Sequence, residues 1–288
     1  MHPGSFREGR DDGTANNGER LRNVDVTLRI LGRDLNPEEV SESLHLSPTR
    51  AFRRGDVFTA GGRLQHRAHG AWVLSTRDAI DSENVVDHGK CLLAWALPTR
   101  ERLKNLLSRE GLQATIAFWW EPTNGAVCFA LPSLEIKMLG ELCHEVDFYF
   151  YCHRKQRSKK VGIALEILGR DLNPDEATAA LHLSPTRAFR KGDICIVEGS
   201  SRPCEHGSWM LSTQDTVDSE DLLDHSRQLL AWVLPVQDHL KSLLAHGERR
   251  ATVVFWWEPT DGPVGFTFPS AELRTLAELC NTFDFYFG

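Results

Sequence analysis

The chain has 288 residues, a formal charge of −7, and 41% hydrophobic against 25% charged residues. That balance is ordinary for a folded globular protein and too apolar for a disordered one. The acidic charge argues against nucleic acid, whose binders carry a basic face, and no apolar run approaches the roughly 20 residues of a membrane helix.

Residues 1–22 are rich in Gly, Asn, Arg and Asp with almost nothing to bury, so they are expected to be a disordered tail without the apolar core of a signal peptide. Val24–Leu31 alternates apolar and polar residues and is expected to be a strand. Asn36, Pro37, Glu38 and Glu39 form a helix start: a cap, a residue suited to the first helical position, and two acids facing the dipole. That helix is expected to end near Leu46. Arg54-Gly55-Asp56 reads as a turn into a second strand, Ala60–Ala68 as a surface loop, and Ala71–Thr76 as a third strand. Asp81 or Ser82 can cap a helix to about Leu97, broken by Pro98 before a short helix over Arg100–Arg109. Thr115–Trp120 and Val127–Leu131 read as a hairpin around Asn124-Gly125. Ser133 can cap a helix to Cys143, and Val146–Tyr151 reads as a closing strand.

The whole pattern then recurs. Ile30–Pro37 returns at Ile167–Pro174, Leu44–Arg53 at Leu181–Arg190 and Phe118–Thr123 at Phe255–Thr260. Trp209 follows Trp72, and Tyr286 follows Tyr149, by the same 137 positions. A period that long is a domain and not a solenoid unit. The expected organisation is repeat one over 23–151, a basic linker over 152–160 and repeat two over 161–288. Each repeat is expected to be an α+β domain with a mainly antiparallel sheet and helices packed on it, the two being related by a pseudo-twofold. The opening βαββα order is compatible with a ferredoxin-like core. Seven cysteines, of which only Cys143 and Cys280 match between copies, suggest reduced thiols in a cytoplasmic protein.

The G-x-D-L-x-P element (Gly32–Pro37, Gly169–Pro174) is followed by L-x-L-x-P-T leading to a K/R-G-D turn (Leu44–Asp56, Leu181–Asp193). A W-x-L-S strand comes next (Trp72–Ser75, Trp209–Ser212). In that order and spacing they resemble the bacterial family called domain of unknown function 4279, here present twice. The resemblance implies no activity. Comparable small bacterial families include immunity and partner-binding proteins, an analogy at the level of the family only.

Three constellations are candidates for chemistry. Arg50, Arg54 and Asp56 around Gly55, with Arg187, Lys191 and Asp193 around Gly192, could clamp a carboxylate or phosphate. The simpler reading is a tight turn capped by its aspartate, with cations paired to nearby acids. His69 and His206 precede the third strand, and His88 and His225 follow an aspartate on a helix. Metal binding would need several ligands to converge, and a core-edge histidine bonded to backbone is the commoner case. In Phe118-Trp119-Trp120 the two indoles must point to opposite sheet faces, as must Trp256 and Trp257. Trp119 and Trp256 are then either buried between the repeats or available to a partner. Glu121 and Glu258 follow the tryptophans without a second carboxylate at fixed spacing.

The sequence therefore points to a non-enzymatic cytoplasmic binding protein, in its sharpest form an immunity-type protein neutralising a basic toxin or enzyme. No cofactor or metal is implied. The competing expectation is an enzyme or receptor for a small anionic ligand, acting through the Arg and His loops.

Overall fold

The computed structural model describes residues 24–121, 127–152, 161–197, 200–257 and 262–287. The sequence-predicted tail, most of the basic linker and the Asn124-Gly125 turn lie outside the described residues.

Repeat one contains β1 (Val24–Gly32), α1 (Pro37–Leu44), β2 (Arg50–Phe52), β3 (Val57–Ala60), β4 (Arg63–His66), β5 (Gly70–Ser75), α2 (Val85–Ala96), α3 (Arg100–Leu107), β6 (Leu112–Trp120), β7 (Val127–Pro132), α4 (Ser133–Gly140) and β8 (Glu145–Cys152). Repeat two contains β9 (Val161–Gly169), α5 (Pro174–Leu181), β10 (Arg187–Phe189), β11 (Ile194–Val197), β12 (Ser200–Pro203), β13 (Gly207–Ser212), α6 (Leu222–Val233), α7 (Gln237–Ala245), β14 (Arg249–Trp257), β15 (Gly262–Pro269), α8 (Ser270–Ala277) and β16 (Thr282–Phe287). The class is α+β, and the parallel pairs are β6 with β8 and β14 with β16.

Local chemistry explains most boundaries. The Asn36 side chain accepts from Glu38 N, and α1 stops at His45, whose φ of 55° is left-handed. The first helix is therefore two residues shorter than expected. Asn84, not Asp81 or Ser82, caps α2 by accepting from Val86 N. Ser133 does not cap α4 with its side chain; its backbone N–H donates instead to Asn281 O at 2.9 Å. The stretch read as a loop over Ala60–Ala68 holds β4, paired with β3 in a small hairpin. A ferredoxin-like core is excluded, because β1 is flanked by two antiparallel neighbours, β5 and β6.

The expected hairpin of β6 with β7 does not form. β6 lies between β1 and β8, so no edge is left on it for β7. β7 pairs instead with β16 of the second repeat. In the reciprocal exchange β15 pairs with β8 of the first repeat. Each six-stranded sheet thus contains one strand from the other repeat: β15-β8-β6-β1-β5-β2 for the first, and β10-β13-β9-β14-β16-β7 for the second. The helices that follow the exchanged strands, α4 and α8, pack on one another. Ser133 N donates to Asn281 O, and its counterpart Ser270 N donates to His144 O at 2.8 Å.

The inner sheet faces share one continuous core. Phe148 on β8 and its counterpart Phe285 on β16 meet with ring centroids 5.1 Å apart. Phe285 also stacks on Phe129 of the exchanged β7 at 4.6 Å, and Phe148 on Phe266 of the exchanged β15 at 5.0 Å. Contact between equivalent side chains is what a pseudo-twofold axis through the core produces. Trp72, fully buried, donates from its indole to Ser41 Oγ at 3.0 Å and ties β5 to α1; Trp209 does the same to Thr178 at 3.1 Å. His88 is also fully buried, with Nε2 donating to Ser82 O at 2.9 Å and Nδ1 accepting from the Thr76 hydroxyl at 2.7 Å. His225 repeats this with Ser219 and Thr213.

Phe285→Ala should remove about 3–5 kcal/mol of stability. Because the core is shared, calorimetry should show one lowered transition for the whole chain; two transitions of which only one moves would contradict a shared core.

Candidate functional site

Among the described residues, helices pack on the inner face of each sheet. On β1 the core side chains are Val24, Val26, Leu28 and Ile30, so Asp25, Thr27 and Arg29 point to the outer face. Cross-strand register extends that face. Asp25 pairs with Trp119, Thr27 with Ala117 and Arg29 with Thr115. Ala117 in turn pairs with Asp147, and Trp119 with Tyr149.

The centre of this face is polar and enclosed by its own side chains. Trp119 is 39% exposed and stacks on Tyr149 with centroids 4.4 Å apart. The Arg29 guanidinium lies 5.6 Å from the Trp119 ring centre. Asp147 is buried; it accepts from Thr267 Oγ1 at 2.7 Å and Tyr149 OH at 3.2 Å. Burial pushes the Asp147 carboxyl above its ordinary pKa, against the lowering effect of both hydrogen bonds and of the Arg29 charge. Burial and the neighbouring carboxylate push Tyr149 up to about 12. Asp25, also buried, accepts from Ser75 Oγ at 2.8 Å and Thr76 N at 3.1 Å. Among the described residues, Thr27 Oγ1 is a buried side-chain oxygen without a hydrogen-bond partner.

The second sheet keeps the aromatic pair and changes the charges. Trp256 pairs with Tyr286, and Val254 with Asp284. Gly162, Ala164 and Glu166 stand where the first repeat has Asp25, Thr27 and Arg29. Glu166 accepts from Ser208 Oγ at 3.1 Å; burial raises its pKa, as it does that of Asp284. Tyr286 is 41% exposed.

The loops singled out in the sequence fall elsewhere. Asp56 caps its own turn by accepting from Arg53 N at 2.7 Å, and Asp193 does so from Arg190 N at 2.8 Å. Arg54 pairs with Asp34 at 3.3 Å, Arg53 with Glu38 at 2.6 Å and Arg190 with Asp175. Lys191 is exposed beside Gly192. His69 is half-buried and His206 exposed just before β5 and β13, while His88 and His225 are sealed in the core. The Gly55–Asp56 turn is tied by backbone hydrogen bonds to Arg67, two residues before His69, and the Gly192–Asp193 turn to Cys204, two residues before His206. Arg50 and Arg187, on the short β2 and β10, do reach the rims of the outer faces, with Arg187 5.6 Å over Phe189. Trp120 and Trp257 pack inward against the exchanged Phe129 and Phe266. Trp119 and Trp256 are therefore on the open faces and not between the repeats.

Asp147, Tyr149, Glu166 and Asp284 match no motif. The signal they leave is alternation: Asp147 and Tyr149 between Val146, Phe148 and Phe150 put a carboxylate and a phenol on one face of a strand that is otherwise core.

Two exchanged α+β repeats, each with an open aromatic and charged sheet face, define a tandem duplicate. The family described as "domain of unknown function (DUF4279)" matches residues 22–153 and again 159–287, and the chain belongs to that family. No curated protein matches it.

A carboxyl whose pKa is raised by folding holds its proton more tightly folded than unfolded. Its contribution to stability is present at acid pH and is lost as the pH rises above the ordinary carboxylate range. Asp147→Asn should therefore gain stability relative to the parent as the pH climbs from about 4 to about 7. Thermal melts of both proteins across that range check this, and a difference independent of pH would contradict it.

Proposed function

We propose that the chain is a non-catalytic binding protein that grips a basic protein partner through the open sheet faces. The observation that carries this reading is the pairing of a partly exposed tryptophan with a tyrosine, Trp119 with Tyr149 and Trp256 with Tyr286, on faces that no helix among the described residues covers. Tryptophan and tyrosine supply a disproportionate share of binding energy at protein interfaces. The net charge of −7 would steer a basic partner toward them. An inhibitor of a basic toxin or enzyme is the sharpest form of this reading. The alternative, an anion receptor built on the Arg and His loops, has less support, because Arg53, Arg54 and Arg190 already face carboxylates.

Affinity capture from native lysate should retain a protein on the parent chain and lose it on Trp119→Ala/Trp256→Ala. Arg54→Ala/Lys191→Ala should retain it. Equal capture by all three proteins would overturn the assignment to the faces, and loss only in the loop variant would favour the anion receptor.

A further inference from the structure

The duplication supplies an internal comparison for the recognition chemistry. In the first repeat the outer face holds its own cation. Arg29 lies opposite Thr115 and Trp119 opposite Asp25. Four residues of strand separate those rows, about 13 Å along the sheet. For the guanidinium to come within 5.6 Å of the indole centre, the Arg29 side chain must lean along the strand over the small Ala117. There its charge lowers the pKa of Asp147, while Tyr149 and Thr267 complete the hydrogen bonding of that carboxylate.

The second repeat keeps the aromatic pair and the acid and lacks the central cation. Trp256, Tyr286 and Asp284 match Trp119, Tyr149 and Asp147, but Glu166 replaces Arg29. Thr267, which donates to Asp147, has Ala130 as its counterpart. Among the described residues Asp284 has neither a hydrogen bond nor an ion pair, and Glu166 has one hydrogen bond, from Ser208, and feels the charge of Arg187 from the margin of the face. The cations already on this face sit toward its margins. The Arg187 guanidinium lies over Phe189, and Arg250 is exposed at the start of β14. The floor between Trp256 and the two acids is the pair Ala164 and Val254, which stand where the first sheet has Thr27 and Ala117.

We propose that the outer face of the second sheet receives one arginine side chain of a protein partner, its guanidinium over Trp256 and between Glu166 and Asp284. The inference rests on reading the open faces as recognition surfaces and names what one of them recognises. A guanidinium satisfies both demands of the site, since it stacks on an indole and donates to two carboxylates at once. The first face, already filled by Arg29, is closed to the same ligand.

The probe is the tripeptide acetyl-Gly-Arg-Gly-amide, with the citrulline peptide as its uncharged isostere. The readout is fluorine NMR of the full chain labelled with 5-fluorotryptophan, the Trp256 and Trp119 signals being assigned by substitution with Phe. The Arg peptide should shift the Trp256 signal saturably, leave Trp119 unmoved, and bind at least about tenfold more tightly than the citrulline peptide, roughly one well-formed charged contact. Glu166→Arg, which installs the cation of the first repeat, should abolish the response at Trp256. Arg29→Glu should create one at Trp119, and that gain cannot arise from misfolding should Glu166→Arg prove unstable. Glu83→Arg, exposed in the loop just before α2, changes the net charge equally and should leave the response intact. Equal binding of the citrulline peptide, an unchanged response in Glu166→Arg, or an equal loss in Glu83→Arg would overturn the proposal. A silent Trp256 signal, in a protein whose captured partner is still lost on Trp256→Ala, would overturn the arginine and leave the face as the recognition surface.

Discussion

The reciprocal exchange of β7 and β15 is the constraint from which the rest of the structure follows. With β6 enclosed by β1 and β8, the outermost strand beside β8 is β15 of the other repeat, and beside β16 it is β7. Neither repeat completes its own sheet. The exchanged strands carry Phe129 and Phe266 into the partner repeat's core, and the closing strands bring Phe148 and Phe285 into contact. Burying these rings removes large apolar surfaces from water in a place where neither half alone supplies the walls.

That shared interior separates what the two copies must keep from what they are free to change. Trp72 and Trp209, Thr76 and Thr213, His88 and His225, and Phe148 and Phe285 are identical pairs, all buried. Close packing makes the loss of a ring or an internal hydrogen bond expensive at each of them. The outer faces meet no helix layer among the described residues, and there Asp25, Thr27 and Arg29 have become Gly162, Ala164 and Glu166. One fold thus presents two faces with a common aromatic pair and opposite charge at a central position. A duplicated fold can change one surface in this way without disturbing its core.

Much of this was legible in the chain itself. The period of 137, the apolar alternation of β1, and the Asn-Pro-Glu-Glu start of α1 follow from rules that act within a few residues. The opposed indoles of Trp119 and Trp120 follow from the two-residue strand repeat. The strand exchange was not legible, because a turn-like Asn124-Gly125 is local chemistry whereas the choice of partner for β7 is set by which sheet edge is free. The candidate site was only half legible for the same reason. The tryptophans announce themselves, but Arg29, Asp147 and Thr267 come from three strands and two repeats, and only the register of the folded sheet brings them together. The arginine loops stood out by composition, and Glu38, Asp34 and Asp175 had already engaged them.

The exchange is tested most directly by cutting the chain between its repeats. A protease site placed between residues 153 and 160 and cleaved in the folded protein leaves two fragments with no covalent link. If each sheet contains a strand of the other half, native mass spectrometry should show both fragments in one particle of the parent mass, parting only in denaturant. Two fragments that separate in native buffer while keeping their folded circular dichroism would contradict the exchanged sheets.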